Sequence, residues 1–384
     1  MKYLFINSVY GVRSTGKIVA GQCRDLQKQG HTCVAAYGRE STCDPSVKQL
    51  RIGSKKDAVI HAVMARIWDR QGFGSKKATK KFLKRVEEYG PDVIWLHNLH
   101  GYYIHVGVLF QWLKKHPEIQ VYWTLHDCWA FTGHCAYFTM AGCQRWKNGC
   151  GQCPQLKTYP KTVGRDYSKE NFRRKKMVFR GVKKLTLITP SQWLADLTRE
   201  SFLSEYPVRV IHNTIDRKIF CPTPGIFREI HRIKKHYMVL GVAVGWEETK
   251  GFPDMLKLRE KLDPQYVLVL VGTTQKQIRH LPPGIIGISR TENQKELAEI
   301  YTAADVFVNP THQDNFPTVN LEAAACGTPV ITYNVGGSPE SVPPENRIPE
   351  NDIDGLTKRI RQICEGETER MGKQDEQRRM DRKN

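Results

Sequence analysis

The residues of this sequence that are best spaced for chemistry are two acids, Asp314 and Glu322, which flank the predicted start of a helix. Thr318 lies between them and is a favourable N-cap, so the first amides of the helix and the positive end of its dipole face the preceding loop. Such a helix start suits a diphosphate. Glu322 lies about one turn further in, where its carboxylate can accept hydrogen bonds from two vicinal ribose hydroxyls. The spacing alone also fits a solvated loop acid and an ordinary acid on a helix face.

The elements that position these acids are indicated by apolar runs that alternate with helical patterns along the 384 residues. Short apolar runs between amphipathic helices are typical of parallel strands covered on both faces, and ligands of such sheets bind beyond the carboxyl ends of the strands. Strands are predicted at Tyr3–Val9, His31–Tyr37, Asp92–His97, Val121–His126, Leu185–Thr189, Tyr237–Val244, Tyr266–Val271, Asp305–Asn309 and Pro329–Tyr333. Helices are predicted at Lys17–Gln29, Lys295–Ala304, Thr318–Ala325 and Asp352–Cys364.

The chain is longer than one hydrophobic core usually supports, which predicts two domains. The segment His212–Pro224 is rich in prolines and turn residues and separates two sets of alternating strands and helices. The domains are therefore predicted at residues 1–210 and 211–384. From about residue 366 the sequence has almost no apolar residue, and a polar tail is predicted there.

A family resemblance is carried by the residues around the two acids, which read Asp314-Asn315-Phe316-Pro317 and then Glu322-Ala323-Ala324-Ala325-Cys326-Gly327-Thr328-Pro329-Val330. This motif resembles the C-terminal signature of the glycosyltransferase family 4 (group 1) enzymes. The signature continues in Val335-Gly336-Gly337 and Pro339-Glu340. The resemblance implies a GT-B fold of two Rossmann-like, doubly wound parallel-sheet domains facing across a cleft. It also implies that the N-terminal domain binds the acceptor and the C-terminal domain a nucleotide-sugar donor. Transfer would retain the anomeric configuration and use no catalytic metal.

The resemblance assigns roles to individual residues. Predicted donor-binding residues are Gly16, Gly251, Asn315, Phe316, Pro317, Thr318 and Glu322. Predicted catalytic residues are Lys250, which would neutralise the leaving diphosphate, Asp314, which would contact the transferred sugar, and His126, which would touch that sugar from the first domain. His97 would line the acceptor side. Outside this context Gly16 also fits a plain turn, and His126 an ordinary polar residue at the end of a strand.

The sequence departs from the family pattern at two places. The first acid is Asp314, where many members have Glu, so its side chain is one methylene shorter. The family usually has an Arg five or six residues before the Lys250-Gly251 pair, whereas this chain has Val244 and Gly245 there. The second cation for the phosphates is therefore either missing or supplied from elsewhere.

A cysteine cluster predicts a structural zinc site. Five of the eleven cysteines fall between Cys128 and Cys153, and a cytosolic chain seldom uses such a cluster for disulfides. Cys150 and Cys153 form a tight CxxC pair, and Cys135 and Cys143 complete four tetrahedral thiolates. His134 is a competing ligand, and free thiols are the alternative.

The net charge of +20 calls for an anionic partner. Residues 55–85 carry ten basic and two acidic side chains interleaved with apolar ones, which favours an anionic membrane surface as one partner. An ordinary solvated helix face is the alternative. Nucleic acid is not expected as a partner, because the sequence has no RNP, KH or helix-turn-helix pattern.

The sequence thus predicts a cytoplasmic retaining glycosyltransferase, peripheral on the inner face of the membrane. It would move a sugar from a nucleotide-sugar donor, a UDP-sugar above others, to a glycan or lipid-linked glycan in surface polysaccharide synthesis. The enzymatic alternatives are a GT-B nucleotide-sugar epimerase or a phosphorylase. The alternative outside the enzymes is a zinc- or nucleic-acid-binding protein.

Overall fold

The computed structural model describes residues 1–366 and divides into two compact units, Met1–Asn213 and a second that begins at Thr214. Each unit is built on one fully parallel sheet. The predicted polar tail lies outside the described residues.

The first unit contains a seven-stranded sheet in the order β3-β2-β1-β4-β5-β6-β7. Its strands are β1 (Lys2–Tyr10), β2 (Thr32–Ser41), β3 (Lys48–Arg51), β4 (Val93–Leu96), β5 (Gln120–Thr124), β6 (Leu185–Thr189) and β7 (Val208–Val210). Its helices are α1 (Arg13–Lys28), α2 (Lys55–Trp68), α3 (Lys76–Tyr89), α4 (Val106–Lys115), α5 (Ser168–Phe179) and α6 (Gln192–Glu200). Between β5 and α5 the chain makes only two single-turn 3₁₀ helices, Trp129–Phe131 and Arg145–Lys147.

Both faces of the first sheet are covered, as the continuous apolar runs predict. In β1, Leu4 and Ile6 belong to the large core that includes residues of α3 and α4. Phe5 points to the opposite face and packs in a smaller core with Val19 and Cys23 of α1. Alternate residues of one strand therefore enter two different cores, because successive side chains point to opposite faces of a sheet.

The second unit contains a six-stranded sheet in the order β10-β9-β8-β11-β12-β13. Its strands are β8 (Tyr237–Val242), β9 (Tyr266–Val271), β10 (Ile285–Ile288), β11 (Val306–Asn309), β12 (Val330–Tyr333) and β13 (Arg347–Ile348). Its helices are α7 (Phe227–Ile230), α8 (Phe252–Lys261), α9 (Gln275–Ile278), α10 (Gln294–Ala303) and α11 (Thr318–Ala325), and residues 353–366 are also helical. All six residues of β9 are buried, as expected of a central parallel strand.

The predicted elements are largely confirmed, and three of them, Leu185–Thr189, Tyr266–Val271 and Thr318–Ala325, match residue for residue. Two boundaries matter for the site. The strand predicted to reach His126 ends at Thr124, so that histidine lies in the loop beyond β5. The first helix begins at Arg13 and not at Lys17, so it already contains Gly16.

A buried histidine fastens α2 to the loop that follows it. The Nε2 atom of His61 accepts hydrogen bonds from the amides of Gly72 and Gly74 at 3.2 and 3.1 Å. Its Nδ1 atom is 3.0 Å from the Ser75 hydroxyl, and burial lowers the pKa of His61 to about 4. The imidazole is therefore neutral at pH 7, with the Nδ1 proton directed to the serine.

Candidate functional site

The loop between β11 and α11 carries the two acids from which the sequence argument starts. The helix begins at Thr318, and its N-cap is Pro317 in extended conformation, without a side-chain capping bond. The prediction of Thr318 as the N-cap is therefore wrong by one residue. Proline fits here because an N-cap needs no helical hydrogen bond from its own nitrogen. With no side-chain cap, the helix start presents backbone amides and a positive dipole end, which suits an anion.

Lys250 and Asp314 form an ion pair in the second unit. The Lys250 ammonium lies 2.8 Å from the Asp314 carboxylate and donates to the Gln313 carbonyl at 3.3 Å. The lysine ends a 3₁₀ turn that follows β8, whereas the aspartate lies in the loop after β11. Neither side chain is fully buried, so both can exchange partners with a ligand. Two predicted catalytic residues thus meet at the carboxyl ends of neighbouring strands.

Gly251 makes the close packing of these two loops sterically feasible. An ideal Cβ atom at this position would lie 2.1 Å from the Pro310 carbonyl oxygen, and the residue adopts a φ of +72°. The loops are further tied by hydrogen bonds from the His312 amide and the Thr311 hydroxyl to the Thr249 carbonyl, at 3.0 and 3.2 Å. Glycine at position 251 therefore positions Lys250 against the 310–317 loop.

The Asp314 segment is also held from the other side. The Asp314 carboxylate accepts the amide of Asn315 at 2.9 Å, and the Asp314 carbonyl accepts the amide of Gly337 at 3.2 Å. A Cβ atom at Gly336 would lie 2.2 Å from that same carbonyl. Phe316 is buried. The Val335-Gly336-Gly337 motif thus acts as a packing surface for the loop that bears the first acid.

Glu322 lies one turn into α11 and is half-buried. Its carboxylate accepts a hydrogen bond of 3.2 Å from the hydroxyl of Tyr301 in α10. The pKa of Tyr301 is raised well above its ordinary value, mainly by burial and further by the neighbouring Glu322 carboxylate. The phenol therefore stays protonated and remains a hydrogen-bond donor. The tyrosine fixes one carboxylate oxygen, and a carboxylate has several lone pairs that can accept hydrogen bonds.

A buried amide network that no sequence motif indicates anchors α11. Asn320 is fully buried and accepts from the Asn309 side chain at 2.8 Å while donating to the Ser341 hydroxyl at 2.8 Å. The hydroxyl of Thr332 donates to the Asn309 carbonyl at 2.9 Å. These contacts join β11, α11, β12 and the turn after β12, so they fix where the helix begins. An asparagine inside a small-residue helix was the only available signal.

His312 is a second residue that the sequence argument missed. Its two ring nitrogens lie 2.7 Å from the Asp254 carboxylate and 2.6 Å from that of Glu350. His312 and Asp254 are buried, and the histidine comes two residues before Asp314. The partners lie 58 and 38 positions away along the chain, so no local pattern reveals them. This contact braces the 310–317 loop against α8.

The positions at which the family Arg is missing remain without a cation. Val244 is fully exposed, and a Cβ atom at Gly245 would meet nothing within 4 Å. Both positions are therefore open to solvent, and neither has a side chain that could bind a phosphate.

In the first unit Gly16 lies in the first turn of α1, so the alternative of a plain turn before the helix is wrong, whereas its donor-binding role stays a prediction. The turn is made by Gly11, which has a φ of +69° and whose amide donates to the Gly16 carbonyl at 2.9 Å. A Cβ atom at Gly16 would lie 3.1 Å from Val9, tighter than ordinary contact. Gly16 therefore lets the helix start approach β1 closely.

His126 is paired with His97 beyond the ends of β5 and β4. Nε2 of His126 and Nδ1 of His97 are 3.0 Å apart, and the rings stack with centroids 5.3 Å apart. Burial lowers the pKa of His126 to about 4 and that of His97 well below its ordinary value. Both imidazoles are therefore neutral at pH 7, and one proton bridges them. The structure brings together these two predicted residues of the first unit.

A second histidine contact lies next to this pair. His100 Nε2 is 2.8 Å from the Asp127 carboxylate, and His100 Nδ1 is 2.9 Å from the Tyr159 hydroxyl. The pKa of Asp127 is lowered overall. Burial alone would raise it, but the charge and hydrogen bond of His100 and the hydrogen bond from the Trp129 amide have a larger combined effect in the opposite direction. Asp127 is thus a carboxylate that orients His100.

The four predicted zinc ligands, Cys135, Cys143, Cys150 and Cys153, line one small pocket together with His134. The thiol of Cys135 donates to Cys153, which lowers the pKa of Cys153 to about 7 and raises that of Cys135. Within residues 1–366, however, no group of three or more His, Cys, Asp or Glu side chains already has the arrangement of a metal site. The cysteines are therefore neighbours, and the zinc assignment stays a prediction.

With this geometry in hand, comparison with known proteins identifies the family. The model described as Glycosyltransferase Family 4 matches residues 16–218, which is more than half of the chain, and the model described as Glycosyl transferases group 1 matches residues 226–381. The chain belongs to glycosyltransferase family 4. The predicted family is thereby confirmed, and the chain is a glycosyltransferase.

One relative and two solved structures are similar to this glycosyltransferase along most of its length. WcaC of Escherichia coli (strain K12), whose name assigns it to colanic acid biosynthesis, is 26% identical over 315 residues, covering 77% of this chain and 72% of WcaC. Sucrose-phosphate synthase from Thermosynechococcus elongatus matches in structure with a TM-score of 0.65 and 17% identity, over 94% of this chain and 89% of that one. Anabaena HepE in complex with UDP-glucose matches with a TM-score of 0.63 and 13% identity, over 96% and 91% of the two chains. The GT-B fold is thereby confirmed.

The described part of this glycosyltransferase, residues 1–366, holds no helix with the length and apolar character needed to cross a bilayer.

Proposed function

We propose that this glycosyltransferase transfers a sugar from a UDP-sugar with retention of anomeric configuration and without a catalytic metal. The observation that carries the proposal is the position of the Lys250 ammonium. It lies 2.8 Å from the carboxylate of Asp314, and Asp314 belongs to the loop that precedes the start of α11. A cation and a helix start are the charges that a departing diphosphate needs. The HepE structure in complex with UDP-glucose, which shares the fold, supports the choice of donor.

Each side chain then has a defined part in the proposal. The amides at the start of α11 bind the diphosphate, and Lys250 exchanges its contact with Asp314 for a phosphate oxygen as negative charge develops there. Asp314 is thereby released to accept a hydroxyl of the transferred sugar. Glu322, oriented by Tyr301, accepts the ribose hydroxyls. His126 contacts the transferred sugar in its neutral form.

The proposed acceptor is a glycan or lipid-linked glycan in surface polysaccharide synthesis. The name of WcaC supports it, since that protein covers three quarters of this chain and is assigned to colanic acid biosynthesis. A lipid-linked acceptor places the enzyme at a membrane surface, which is the inner face if the chain is cytoplasmic.

The surface of α2 supports membrane attachment. Val59, Ile60, Val63 and Ile67 are 44 to 62% exposed and fall within one stripe of about 100° of the helix. The same helix carries the exposed Lys55, Lys56 and Arg66, and exposed Arg70 follows its end. Exposed apolar side chains beside basic ones suit an anionic lipid surface, since each Lys or Arg near it contributes about 1 kcal/mol.

A thermal-shift screen across nucleotide sugars tests the donor assignment. A donor at 100 times its Kd should stabilise the protein by about 2.7 kcal/mol. Glu322→Gln, which can still accept the Tyr301 hydrogen bond, and Glu322→Ala should both lose the response, whereas Glu260→Ala on the exposed face of α8 should keep it. The absence of any response to UDP-sugars in the wild type would overturn the proposal.

Product analysis separates the remaining alternatives. NMR of the product glycoside should show the anomeric configuration of the donor, and an inverted product would contradict retention. Conversion of a UDP-sugar without any acceptor would instead indicate an epimerase.

Vesicle co-sedimentation tests membrane attachment. The protein should sediment with anionic phosphatidylglycerol vesicles at low salt, and the double variant Val63→Ser/Ile67→Ser should sediment less. Equal sedimentation of the two proteins, or binding to neutral vesicles alone, would refute the assignment to α2.

A further inference from the structure

A small cavity in the first unit collects five side chains that bind soft metals and plays no part in the proposed sugar transfer. It is lined by His134, Cys135, Cys143, Cys150 and Cys153 and encloses about 10 Å³. That volume accommodates about one water-sized atom. It lies in the long connection between β5 and α5, where regular structure is limited to two single turns.

His134 gives an observation that is independent of the cysteines. The residue is 2% exposed, and its Nδ1 atom lies 2.6 Å from a carboxylate oxygen of Asp69. Its Nε2 atom is buried and has no hydrogen-bond partner within residues 1–366. Because a carboxylate accepts, Nδ1 carries the proton and Nε2 directs a lone pair into the cavity. A carboxylate that orients a histidine in this way is the usual second shell of a zinc-bound imidazole.

The backbone around the CxxC pair is shaped for sulfur ligands. The Gly133 amide donates to Cys150 Sγ at 3.1 Å, and a Cβ atom at Gly133 would lie 2.7 Å from the Cys150 Cβ. Gln152, inside the pair, adopts a φ of +47°, in the left-handed region. Arg145 donates to the carbonyl of Gly151 at 2.7 Å and also to that of Gln152. The pair is thus held in a tight turn with an amide directed at a sulfur.

A buried lysine lies near the thiols. Lys175 is fully buried and donates to the carbonyls of Trp129 and Thr132 at 2.7 and 3.0 Å. Burial lowers the pKa of Lys175 to about 7, and the nearby Asp69, Cys150 and Cys135 act in the opposite direction. Three thiolates around Zn²⁺ leave one net negative charge, which would favour the ammonium form of this lysine. An apolar cavity would otherwise penalise that charge.

We propose that this cavity binds one structural Zn²⁺ through the Sγ atoms of Cys135, Cys150 and Cys153 and the Nε2 atom of His134. The three thiols and the imidazole line the same cavity. Cys143 also lines it and is the alternative fourth ligand to His134. Binding releases the three thiol protons to solvent and requires side-chain rotation, since the groups do not yet surround a common point.

The ion would have a structural and not a catalytic role. A closed four-ligand shell leaves no position for substrate, and such sites supply folding energy. The segment it pins begins directly after His126 and Asp127, so the metal would stabilise the loop that follows the His97–His126 pair.

Metal analysis of the full chain tests the proposal independently of any donor or acceptor. Protein produced in zinc-supplemented medium should contain one zinc per chain by elemental analysis. X-ray absorption at the zinc edge should show three sulfurs at about 2.3 Å and one nitrogen at about 2.0–2.1 Å. Chelation should lower the melting temperature of the wild type. Wild-type measurements alone decide this arm, so it stands even if a variant fails to fold.

Variants assign the ligands. Cys153→Ser and His134→Gln should lose zinc, whereas Cys143→Ser and the exposed Cys43→Ser should keep it. Protein without zinc that also fails to bind added Co²⁺, or a Cys135–Cys153 disulfide in freshly purified protein, would overturn the site. A shell of four sulfurs, with zinc retained in His134→Gln and lost in Cys143→Ser, would overturn the histidine assignment.

Discussion

Replacing Gly251 by alanine should separate Lys250 from the 310–317 loop, which carries Asp314. The new Cβ atom would lie 2.1 Å from the Pro310 carbonyl oxygen, whereas ordinary contact begins at 3.4 Å, so the 310–317 loop must move by about 1.3 Å. Loss of one charge-assisted contact to phosphate costs about 1.5–3 kcal/mol, which is a 10- to 150-fold rise in the Kd for UDP. Isothermal titration calorimetry measures this Kd directly.

Gly327→Ala is the matched control for this experiment. Gly327 has a φ of +86°, similar to the +72° of Gly251, but the nearest atom to its Cβ would be 3.9 Å away, in Pro222. Both variants should lose about 1–2 kcal/mol of unfolding free energy through left-handed strain, and Gly251→Ala should lose a further 1–3 kcal/mol, roughly, through overpacking. UDP affinities within twofold of each other would refute the argument that the Gly251–Pro310 contact positions Lys250. A wild type that does not bind UDP would instead refute the donor assignment.

Three further predictions concern stability. The pKa of His61 is lowered to about 4, against 6.5 in the unfolded chain, because the folded state favours the neutral imidazole. The free energy of unfolding should therefore fall by about 3 kcal/mol as the pH drops from 6.5 to 4. In denaturant titrations, His61→Gln should lose this component of the pH dependence. Asn320→Ala should cost about 1–3 kcal/mol in urea unfolding, because it leaves the buried Asn309 amide without its acceptor, and a cost under 0.5 kcal/mol would contradict this. Lys28→Ala should change the same quantity by less than about 0.5 kcal/mol, since its pair with Asp25 is solvent-exposed.

The periodicity of the sequence and its motifs were sufficient to predict the central strands and the loop between β11 and α11. Strands such as β9 are buried along their whole length, so their apolar runs have unambiguous ends. The unpredicted strands β3, β7, β10 and β13 have two to four residues each, and all four lie at sheet edges. Such short strands form because a neighbour offers hydrogen bonds, and their own sequence carries little signal.

The contacts around the donor loop could not be predicted for a different reason. The partners of His312 and Asn320 lie on elements far along the chain, and only tertiary structure brings them together. Gly16 was misplaced because a glycine after a strand usually indicates a turn, whereas here Gly11 makes the turn and Gly16 serves close packing. The pairing of Lys250 with Asp314 followed from topology, since β8 and β11 are adjacent and both loops leave the same edge.

The pairing of β1 has a consequence for biosynthesis. One edge of β1 pairs with β2, some thirty residues later, but the other edge pairs with β4, where Phe5 lies opposite Trp95. At about 5–20 residues per second, a ribosome takes roughly 4–17 s to make the chain between them. During that interval the apolar edge of Leu4, Phe5 and Ile6 has no strand to complete it. β1 is therefore the earliest-made strand of the first sheet and waits longest for its second partner, so a holding chaperone should raise the yield of folded enzyme.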